Sequence, residues 1–220
     1  MFSTAIITAG GSGQRFGELK QFKRLNGQPL YEYSLKTFID VSLFGEIILV
    51  VPVENQKTIE QQVKKKYKSL VKVIVGGMNR QDSVKNGVMN SSSKTDLVVI
   101  HDASRPFITK KLIKDCILAC SNSDGAIIAL QPFDTIKYSK SNVVEKTIDR
   151  EKVWMAQTPQ AFIKEKILEA YNNKLDELIM TDESSMMESM GYKIKIVGGS
   201  ENNFKITTDD DWKRAEMVLG

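Results

Sequence analysis

The chain contains 220 residues, of which 41% are hydrophobic and 26% charged, and its formal net charge is +4. This length and composition are typical of a globular protein with a buried core, and so weak an excess of cations does not indicate a nucleic-acid-binding surface. No apolar segment approaches the roughly 20 residues that cross a bilayer, and the first residues lack the pattern of a signal peptide, so we expect a cytoplasmic protein without membrane contact.

Short apolar runs alternate with amphipathic segments along the chain. Strands are predicted at 4–8, 46–52, 71–75, 96–102 and 125–132, and helices at 29–40, 54–70, 80–91 and 109–122. The strand runs are mostly continuous rather than alternating, which is typical of strands buried on both faces. The pattern therefore predicts an α/β fold with a Rossmann-like, mainly parallel sheet and helices on both faces. In such sheets ligands bind beyond the carboxyl ends of the strands.

Residues 133–152 interrupt this alternation, because they are polar with alternating β-branched residues. Two strands joined by the sequence SKSN predict a protruding β-hairpin arm with little core of its own. Since an isolated two-stranded ribbon is marginally stable, we expect the arm to lean on a second copy of the chain in a homodimer.

The remaining elements complete a single predicted domain over residues 1–220 that includes the arm. Helices are predicted at 163–173 and 181–191, a strand at 192–199 and a last helix near 209–219. Thr181 is a plausible N-cap for the second of these helices.

Cys116 and Cys120 lie four residues apart in an apolar helical segment, whereas His101, the one histidine, lies in another segment. A metal site would need further ligands nearby, so we interpret the cysteines as buried, reduced thiols. For His101 we expect a structural hydrogen bond rather than proton transfer.

Residues 8–22, TAGGSGQRFGELKQF, form a glycine-rich loop directly after the first predicted strand, an arrangement typical of phosphate binding. The dinucleotide fingerprint does not match, because Gly11, Gly13 and Gly17 are spaced too widely and the second strand ends in proline where an acidic residue is required. A P-loop does not match either, because no Gly-Lys-Ser/Thr sequence follows.

The remaining interpretation is a loop that holds a nucleotide while its phosphate is attacked. Gly10, Gly11 and Gly13 allow the backbone to wrap closely around a nucleotide and to direct N–H donors at it. Arg15 and Lys20 then supply mobile cations for a triphosphate, in which charge builds on the attacked phosphorus and the leaving pyrophosphate.

Further motifs follow in order along nearly the whole chain. They are AGGSGQR at 9–15, GGMNRQDSV at 76–84, HDASRPF at 101–107, DTIK at 134–137, TIDREKVWMAQTPQAF at 147–162, TDE at 181–183 and NFKITT at 203–208. Together they resemble the sugar-phosphate cytidylyltransferases, and most closely the 2-C-methyl-D-erythritol 4-phosphate cytidylyltransferase family. The resemblance implies a nucleotidyltransferase fold and transfer of CMP from CTP to a polyol phosphate, in non-mevalonate isoprenoid precursor synthesis.

The resemblance also implies roles for the positions that match the family's motifs. The catalytic cations would be Arg15, Lys20 and Lys205. The nucleotide would be held by Ala9, Gly10, Gly11, Gly13, Gly77, Met78, Ser83 and Asp102, with Arg80 shaping the second glycine loop. The polyol phosphate would be held by Arg105, Thr135, Arg150, Thr158 and Thr181, some of them from the arm of the other subunit. A divalent cation, Mg²⁺, would bridge phosphate oxygens and contact Asp102.

This implied chemistry agrees with the residues present. A phosphate monoester, with a second pKa of about 6, is already largely a dianion at neutral pH. The nucleophile therefore needs no general base, and a chain with one histidine is no handicap. Repulsion between the two phosphates would be screened by Arg15, Lys20, Lys205 and the cation, so catalysis would consist of positioning and electrostatic stabilisation.

One departure from the family lies at Leu19, where the family has proline before the lysine, in a loop that is shorter here. Because Lys20 is preserved, we expect activity, although the lid over the phosphates would close differently.

Three alternatives stay open. They are a ribitol- or other polyol-phosphate cytidylyltransferase, a nicotinamide-dependent oxidoreductase and a non-catalytic nucleotide-binding module. The segment TIDREKVW at 147–154 favours the methylerythritol enzymes over the ribitol enzymes. A binding module would not need Arg105, Arg150 and Lys205 around a second anion.

Overall fold

A computed structural model of the chain describes residues 1–10, 19–173 and 181–220. The strands are Ser3–Thr8 (β1), Arg24–Leu25 (β2), Gln28–Pro29 (β3), Glu46–Val51 (β4), Val71–Val75 (β5), Leu97–Asp102 (β6), Gly125–Leu130 (β7), Ile136–Lys140 (β8), Val143–Ile148 (β9), Met155–Ile163 (β10) and Ile194–Gly198 (β11). The α-helices are Leu30–Asp40 (α1), Gln56–Tyr67 (α2), Arg80–Met89 (α3), Lys110–Ala119 (α4), Lys164–Asn172 (α5), Glu183–Ser189 (α6) and Asp209–Leu219 (α7).

The central sheet has the strand order β11-β7-β10-β6-β1-β4-β5. All neighbouring strands in it are parallel except β10, which runs antiparallel to both β6 and β7. The predicted α/β class with a mainly parallel sheet is therefore confirmed. The carboxyl ends of β1, β4, β5 and β6 lie side by side at one edge of this sheet.

Helices cover both faces of the sheet. Alternate residues of each central strand point to opposite sides, so that Ile7 belongs to one apolar cluster and Ile6 to another. The first cluster contains residues of α1, α2 and α4, and the second contains residues of α3, α5 and α6. Because the strands are covered on both faces, consecutive residues are buried, which explains the continuous apolar runs in their sequences.

The hairpin arm predicted within 133–152 is confirmed as the pair β8 and β9, which forms a separate two-stranded sheet. Ser141 and Asn142 connect the two strands with φ angles of 49° and 64°. Positive φ at both central residues gives a turn whose twist matches that of the flanking strands. Val143 and Val144 are 67% and 58% exposed, so the arm carries apolar surface that the described residues leave uncovered.

Two expectations from the sequence need correction or extension. The N-cap of α6 is Asp182, whose side chain accepts a hydrogen bond from the Ser185 N–H, so the prediction of Thr181 as N-cap is wrong. The negative charge of the Asp182 carboxylate also lies next to the positive end of the helix dipole, which favours aspartate as the N-cap. Strand β10 was not predicted, because its sequence contains Pro159; the proline lies where the register between β10 and β7 is irregular.

The burial predicted for Cys116 and Cys120 is confirmed, and both are free thiols. Burial raises the pKa of both thiols, that of Cys120 to about 11, so neither is a thiolate at neutral pH. Among the described residues, we find no helix with the length and apolar character required to cross a membrane.

Candidate active site

The first part of the candidate site is the chain segment that leaves β1. Ala9 is buried, and its N–H donates to the Val50 carbonyl at 2.8 Å, which carries the backbone along the end of β4. A Cβ atom at Gly10 would lie 3.4 Å from Ser83 Oγ, so the chain passes close to α3. Gly11, Gly13 and Arg15 lie outside the described residues, and their roles stay predictions.

The second part is the loop between β5 and α3, which is held by hydrogen bonds of the Ser83 and Asn79 side chains. Gly77 N–H donates to Ser83 Oγ at 3.1 Å, and the Ser83 hydroxyl donates to the Asn79 carbonyl at 2.9 Å. Asn79 caps α3 by accepting from Asp82 N–H at 2.8 Å. A Cβ at Gly77 would lie 2.2 Å from the Asp82 Cβ, so only glycine fits this tight loop. Met78 is fully exposed, and its predicted role at the nucleotide stays a prediction.

The third part is Asp102, the last residue of β6, which lies among cations. Its Oδ1 accepts from Arg80 Nε at 2.9 Å and from the Thr8 hydroxyl at 3.3 Å. Its Oδ2 accepts from Lys205 Nζ at 2.6 Å. Burial by itself raises the pKa of Asp102, but attraction to Arg80, Lys205 and Arg105 outweighs it and holds the pKa well below its usual range. The carboxylate is therefore ionised at any physiological pH.

Arg80 joins Asp102 to a second carboxylate that sequence reasoning missed. Its Nη1 donates to Glu183 Oε2 at 2.8 Å, and the Glu183 side chain is 1% exposed. Burial raises the pKa of Glu183, although the attraction of Arg80 opposes this. The motif TDE includes this glutamate, but nothing in its local pattern indicates that its partner lies 103 residues earlier in the chain.

His101 lies directly before Asp102 and is fully buried. Its Nε2 donates to the Arg105 carbonyl at 3.1 Å, which leaves Nδ1 as the acceptor for the Thr158 hydroxyl at 3.0 Å. The Thr158 oxygen in turn accepts from the Asp102 N–H at 3.0 Å. The predicted structural hydrogen bond of His101 is thus confirmed. Thr158 has its hydroxyl engaged on both sides, and its predicted substrate contact stays a prediction.

The buried imidazole predicts a pH dependence of stability. Burial lowers the pKa of His101 to about 4 from the ordinary 6.5, although a bond to the Arg105 carbonyl opposes this. Between these values the unfolded chain binds a proton that the folded chain does not, so stability falls as pH falls from 6.5 to 4, by roughly 3 kcal/mol. Urea unfolding of the protein and of His101→Gln at both pH values checks this. Equal pH dependence in the two proteins would contradict it.

Arg105 contacts a short segment near the end of the chain, which also contains Lys205. The Arg105 Nη1 donates to the Asn203 carbonyl at 2.9 Å. Burial lowers the pKa of Arg105, against the attraction of Asp102, but the group remains a cation. Asn203 is fully buried and donates to the Thr158 carbonyl at 2.8 Å, so it ties this segment to β10.

Lys20 lies in another segment of the chain, and so do three of the residues predicted to hold the polyol phosphate, Thr135, Arg150 and Thr181. Lys20 is buried at the start of the 3-10 turn Lys20–Phe22, which follows Leu19. Thr135 and Arg150 are exposed at the base of the hairpin arm, where the Arg150 guanidinium donates to the Phe133 carbonyl. Thr181 is exposed directly before α6. Within residues 1–10, 19–173 and 181–220, Thr135, Arg150 and Thr181 form no hydrogen bond with Asp102, and the roles of all four residues stay predictions.

The carboxylates permit one mode of metal binding. Within the described parts of the chain, no group of three or more His, Cys, Asp or Glu side chains is arranged to hold a metal ion. Asp102 lies at the carboxyl end of β6, and its Oδ2 accepts a hydrogen bond from Lys205. One carboxylate together with phosphate oxygens is a common way for proteins to bind Mg²⁺, so the donor set fits a cation that arrives with a nucleotide.

Comparison with known proteins finds a family that matches nearly the whole chain. The profile of the family described as "IspD: 2-C-methyl-D-erythritol 4-phosphate cytidylyltransferase" matches residues 3–220. A protein of that name from Syntrophus aciditrophicus is 39% identical, over 98% of this chain and 94% of the relative. One from Aquifex aeolicus is 38% identical, over 99% of this chain and 97% of the relative.

Solved structures agree as well. The crystal structure of 4-diphosphocytidyl-2C-methyl-D-erythritol synthase from Anaerococcus prevotii matches with a TM-score of 0.89 and 33% identity, covering 99% of this chain and 98% of that one. The Thermus thermophilus 2-C-methyl-D-erythritol 4-phosphate cytidylyltransferase matches with a TM-score of 0.81 and 26% identity, over 99% and 98% of the two chains. The chain therefore belongs to the 2-C-methyl-D-erythritol 4-phosphate cytidylyltransferase family, a family of nucleotidyltransferase enzymes.

Proposed function

We propose that this chain transfers the CMP group of CTP to 2-C-methyl-D-erythritol 4-phosphate and releases pyrophosphate, as a step of non-mevalonate isoprenoid precursor synthesis. The observation that carries the proposal is the cation cluster at the carboxyl edge of the sheet. Arg80 and Lys205 bind Asp102 directly, and Arg105 adds its charge. A site for two anionic substrates requires such an excess of positive charge.

In this proposal the glycine loops hold the nucleotide. Gly10 and the loop 76–79 follow the carboxyl ends of β1 and β5, where a base and ribose would contact the backbone rather than a long side chain. The Ser83 hydroxyl holds that loop by accepting from the Gly77 N–H and donating to the Asn79 carbonyl. Ala9, Gly11, Gly13 and Met78 belong to the same proposed nucleotide site, and Asp102 lies at its floor.

The catalytic contribution in this proposal comes from the lysines and from Arg15. The attacking phosphate needs no proton removed, so the barrier lies in bringing two anions together and in the charge of the leaving pyrophosphate. Lys205, which is about one-third exposed, can turn from Asp102 towards a phosphate oxygen. Lys20 and Arg15 are proposed to stabilise the triphosphate.

We propose Mg²⁺ as the cofactor, held by Asp102 and by the phosphates of CTP. When bound, such a cation would neutralise phosphate charge. The chain contributes a carboxylate whose orientation is fixed by Arg80 and Thr8. The acceptor phosphate is proposed to contact Arg105, Thr135, Arg150, Thr158 and Thr181.

An acceptor assay tests the proposed function. Purified protein is given CTP, Mg²⁺ and either 2-C-methyl-D-erythritol 4-phosphate or ribitol 5-phosphate, and pyrophosphate release is followed. We expect faster release with the methylerythritol phosphate, since the segment 147–162 resembles enzymes of that kind. Faster release with ribitol 5-phosphate would favour the second candidate, a polyol-phosphate cytidylyltransferase. Binding of NAD(H) with indifference to CTP would favour an oxidoreductase.

We further propose one domain over residues 1–220, with 133–152 as an arm for dimerisation and substrate binding, in a cytoplasmic homodimer. The support is the exposed apolar surface of the arm, where Phe133 is 72%, Tyr138 53% and Val144 58% exposed. Contiguous exposed apolar residues of this kind are typical of protein–protein interfaces.

A substitution in the arm tests the dimer. At micromolar concentration, sedimentation should give about twice the 24.7 kDa mass of one chain, and Val144→Asp should shift it towards the monomer. Val53→Asp is the matched control, because Val53 is 68% exposed outside the arm. A wild-type monomer with full activity would contradict the proposal.

A further inference from the structure

Glu183 is a buried carboxylate to which the chemistry above gives no task. It is 2% exposed, and its Oε2 accepts a hydrogen bond from Arg80 Nη1 at 2.8 Å. Its Oε1 has no hydrogen-bond partner within the described residues. Burying a carboxylate is costly unless a partner compensates it, so the contact with Arg80 carries the stabilisation of this charge.

The segment that presents Glu183 is anchored independently of Arg80. Asp182, the preceding residue, accepts from Gln160 Nε2 of β10 at 2.7 Å and from the Ser185 N–H at 3.0 Å. Met186 and Met187 of the same helix are 2% and 0% exposed in the core. The position of Glu183 is therefore set by its own helix, so its carboxylate can hold the Arg80 side chain in place.

Arg80 is the side chain that is held. Its Nε contacts Asp102 and its Nη1 contacts Glu183, so two carboxylates determine the plane of one guanidinium. The Arg80 side chain is 29% exposed, so solvent is accessible to it. With Glu183 uncharged, Arg80 would keep one ionic contact and could rotate away from Asp102.

The position of Arg80 decides how strongly Asp102 retains Lys205. Arg80 neutralises the Oδ1 side of Asp102, while Lys205 binds Oδ2 at 2.6 Å. If Arg80 moved away, Lys205 would face the whole charge of the carboxylate. The tighter ion pair would keep Lys205 from an anionic ligand, and Asp102 would lose a contact that fixes its orientation.

From these contacts we propose that Glu183 is a positioning residue for CMP transfer, because it holds Arg80 against Asp102. With Arg80 in this position, Lys205 is bound less tightly by Asp102 and can bind a phosphate. Because this role concerns the same site, it rests on the proposed function. Glu183 is connected to Asp102 through Arg80, whose guanidinium binds both carboxylates.

Steady-state kinetics of Glu183→Gln tests the role. We expect kcat to fall about tenfold to a hundredfold, the range that loss of one charge-assisted hydrogen bond produces. The KM for CTP should change less than about threefold, because Ser83 and Asn79 hold the loop 76–79 without Glu183. Glu188→Gln is the matched control on the same helix, since Glu188 is exposed and binds Ser184 instead. Equal kcat in wild type and Glu183→Gln would overturn the proposal.

A double-variant comparison separates positioning from a merely structural role. If Glu183 acts through Arg80, adding Glu183→Gln to Arg80→Gln should lower kcat no further than Arg80→Gln alone. A further fall in the double variant would overturn the proposal. The comparison of the double variant with Arg80→Gln still tests the proposal if Glu183→Gln alone fails to fold, because the double variant removes both members of the buried pair.

Hydrogen exchange of the Arg80 Nε–H, followed by NMR, provides a readout that needs no turnover. Arg80→Gln identifies the signal by its loss. In the absence of substrates, we expect exchange at least about tenfold faster in Glu183→Gln than in wild type, since a guanidinium that has lost a charged partner spends more time in water. Unchanged exchange would overturn the proposal. Altered exchange in a protein that transfers no CMP would instead count against the proposed function.

Discussion

Replacing Lys205 with alanine is expected to lower kcat for CMP transfer by about a hundredfold or more. Lys205 lies 2.6 Å from Asp102 at the carboxyl edge of the sheet, within reach of an anion bound there. Removing its charge leaves the approach of two phosphates less screened, and this cost is greatest when charge builds on the leaving pyrophosphate. Pyrophosphate release under saturating CTP and acceptor measures the change.

A second lysine near the C-terminus provides the control for Lys205→Ala. Lys213 has a 71% exposed side chain and pairs with Asp210 on the surface of α7. Since an exposed pair of this kind contributes little to stability, Lys213→Ala should retain wild-type kcat. Wild-type turnover in Lys205→Ala would refute the assignment of this lysine to the phosphates.

Asp102→Asn is expected to affect both stability and turnover. The change removes the carboxylate that Arg80 and Lys205 share, and leaves their charges with Arg105 in a largely buried cluster. Breaking a buried ion pair from one side costs roughly 3–5 kcal/mol in the free energy of unfolding. We also expect kcat to fall about a hundredfold or more, because the orientation of Lys205 and any cation site depend on this carboxylate.

The effect of pH on Asp102→Asn follows from the low pKa of Asp102 in the folded chain. A carboxyl whose folded pKa is depressed stabilises the protein above its unfolded pKa, about 3.9, and this stabilisation is lost as pH falls through the folded value. Urea unfolding should thus show the full difference between wild type and variant at pH 7, with a decrease only in strong acid. Asp210→Asn, at a 92% exposed side chain, is the control. Equal stability of wild type and Asp102→Asn at pH 7 would contradict the assignment.

Most of the architecture could be predicted from local patterns, as two segments illustrate. The runs at 46–52 and 96–102 have continuous apolar interiors, at 47–51 and 97–100, and they form β4 and β6 in the covered sheet. The polar, β-branched stretch at 133–152 forms the hairpin β8–β9, with the turn at Ser141 and Asn142. Strand β10 escaped prediction, because Pro159 in a central strand argues against a strand unless the register is irregular there.

In the candidate site, too, some residues could be predicted from local motifs and others could not. Glycine loops and a strand-end carboxylate have local signatures, so Gly77 and Asp102 could be found from their motifs. Thr158 was singled out by its motif, yet its hydroxyl is engaged between His101 and the Asp102 N–H, which no motif indicates. Glu183 was not singled out at all, because its identity as a partner of Arg80 has no local pattern.

The sequence by itself determined the order of most strands and helices, the placement of polar loops after β1, β5 and β6 and, through its motifs, the resemblance to the family. The elements and loops depend on hydrophobic period and turn chemistry, which act between residues close in the chain. Only the tertiary structure decided that Lys205 meets Asp102 and that Glu183 meets Arg80, in each case across 103 residues. Such contacts depend on which strands become neighbours in the folded sheet, and on which buried charges then require a partner.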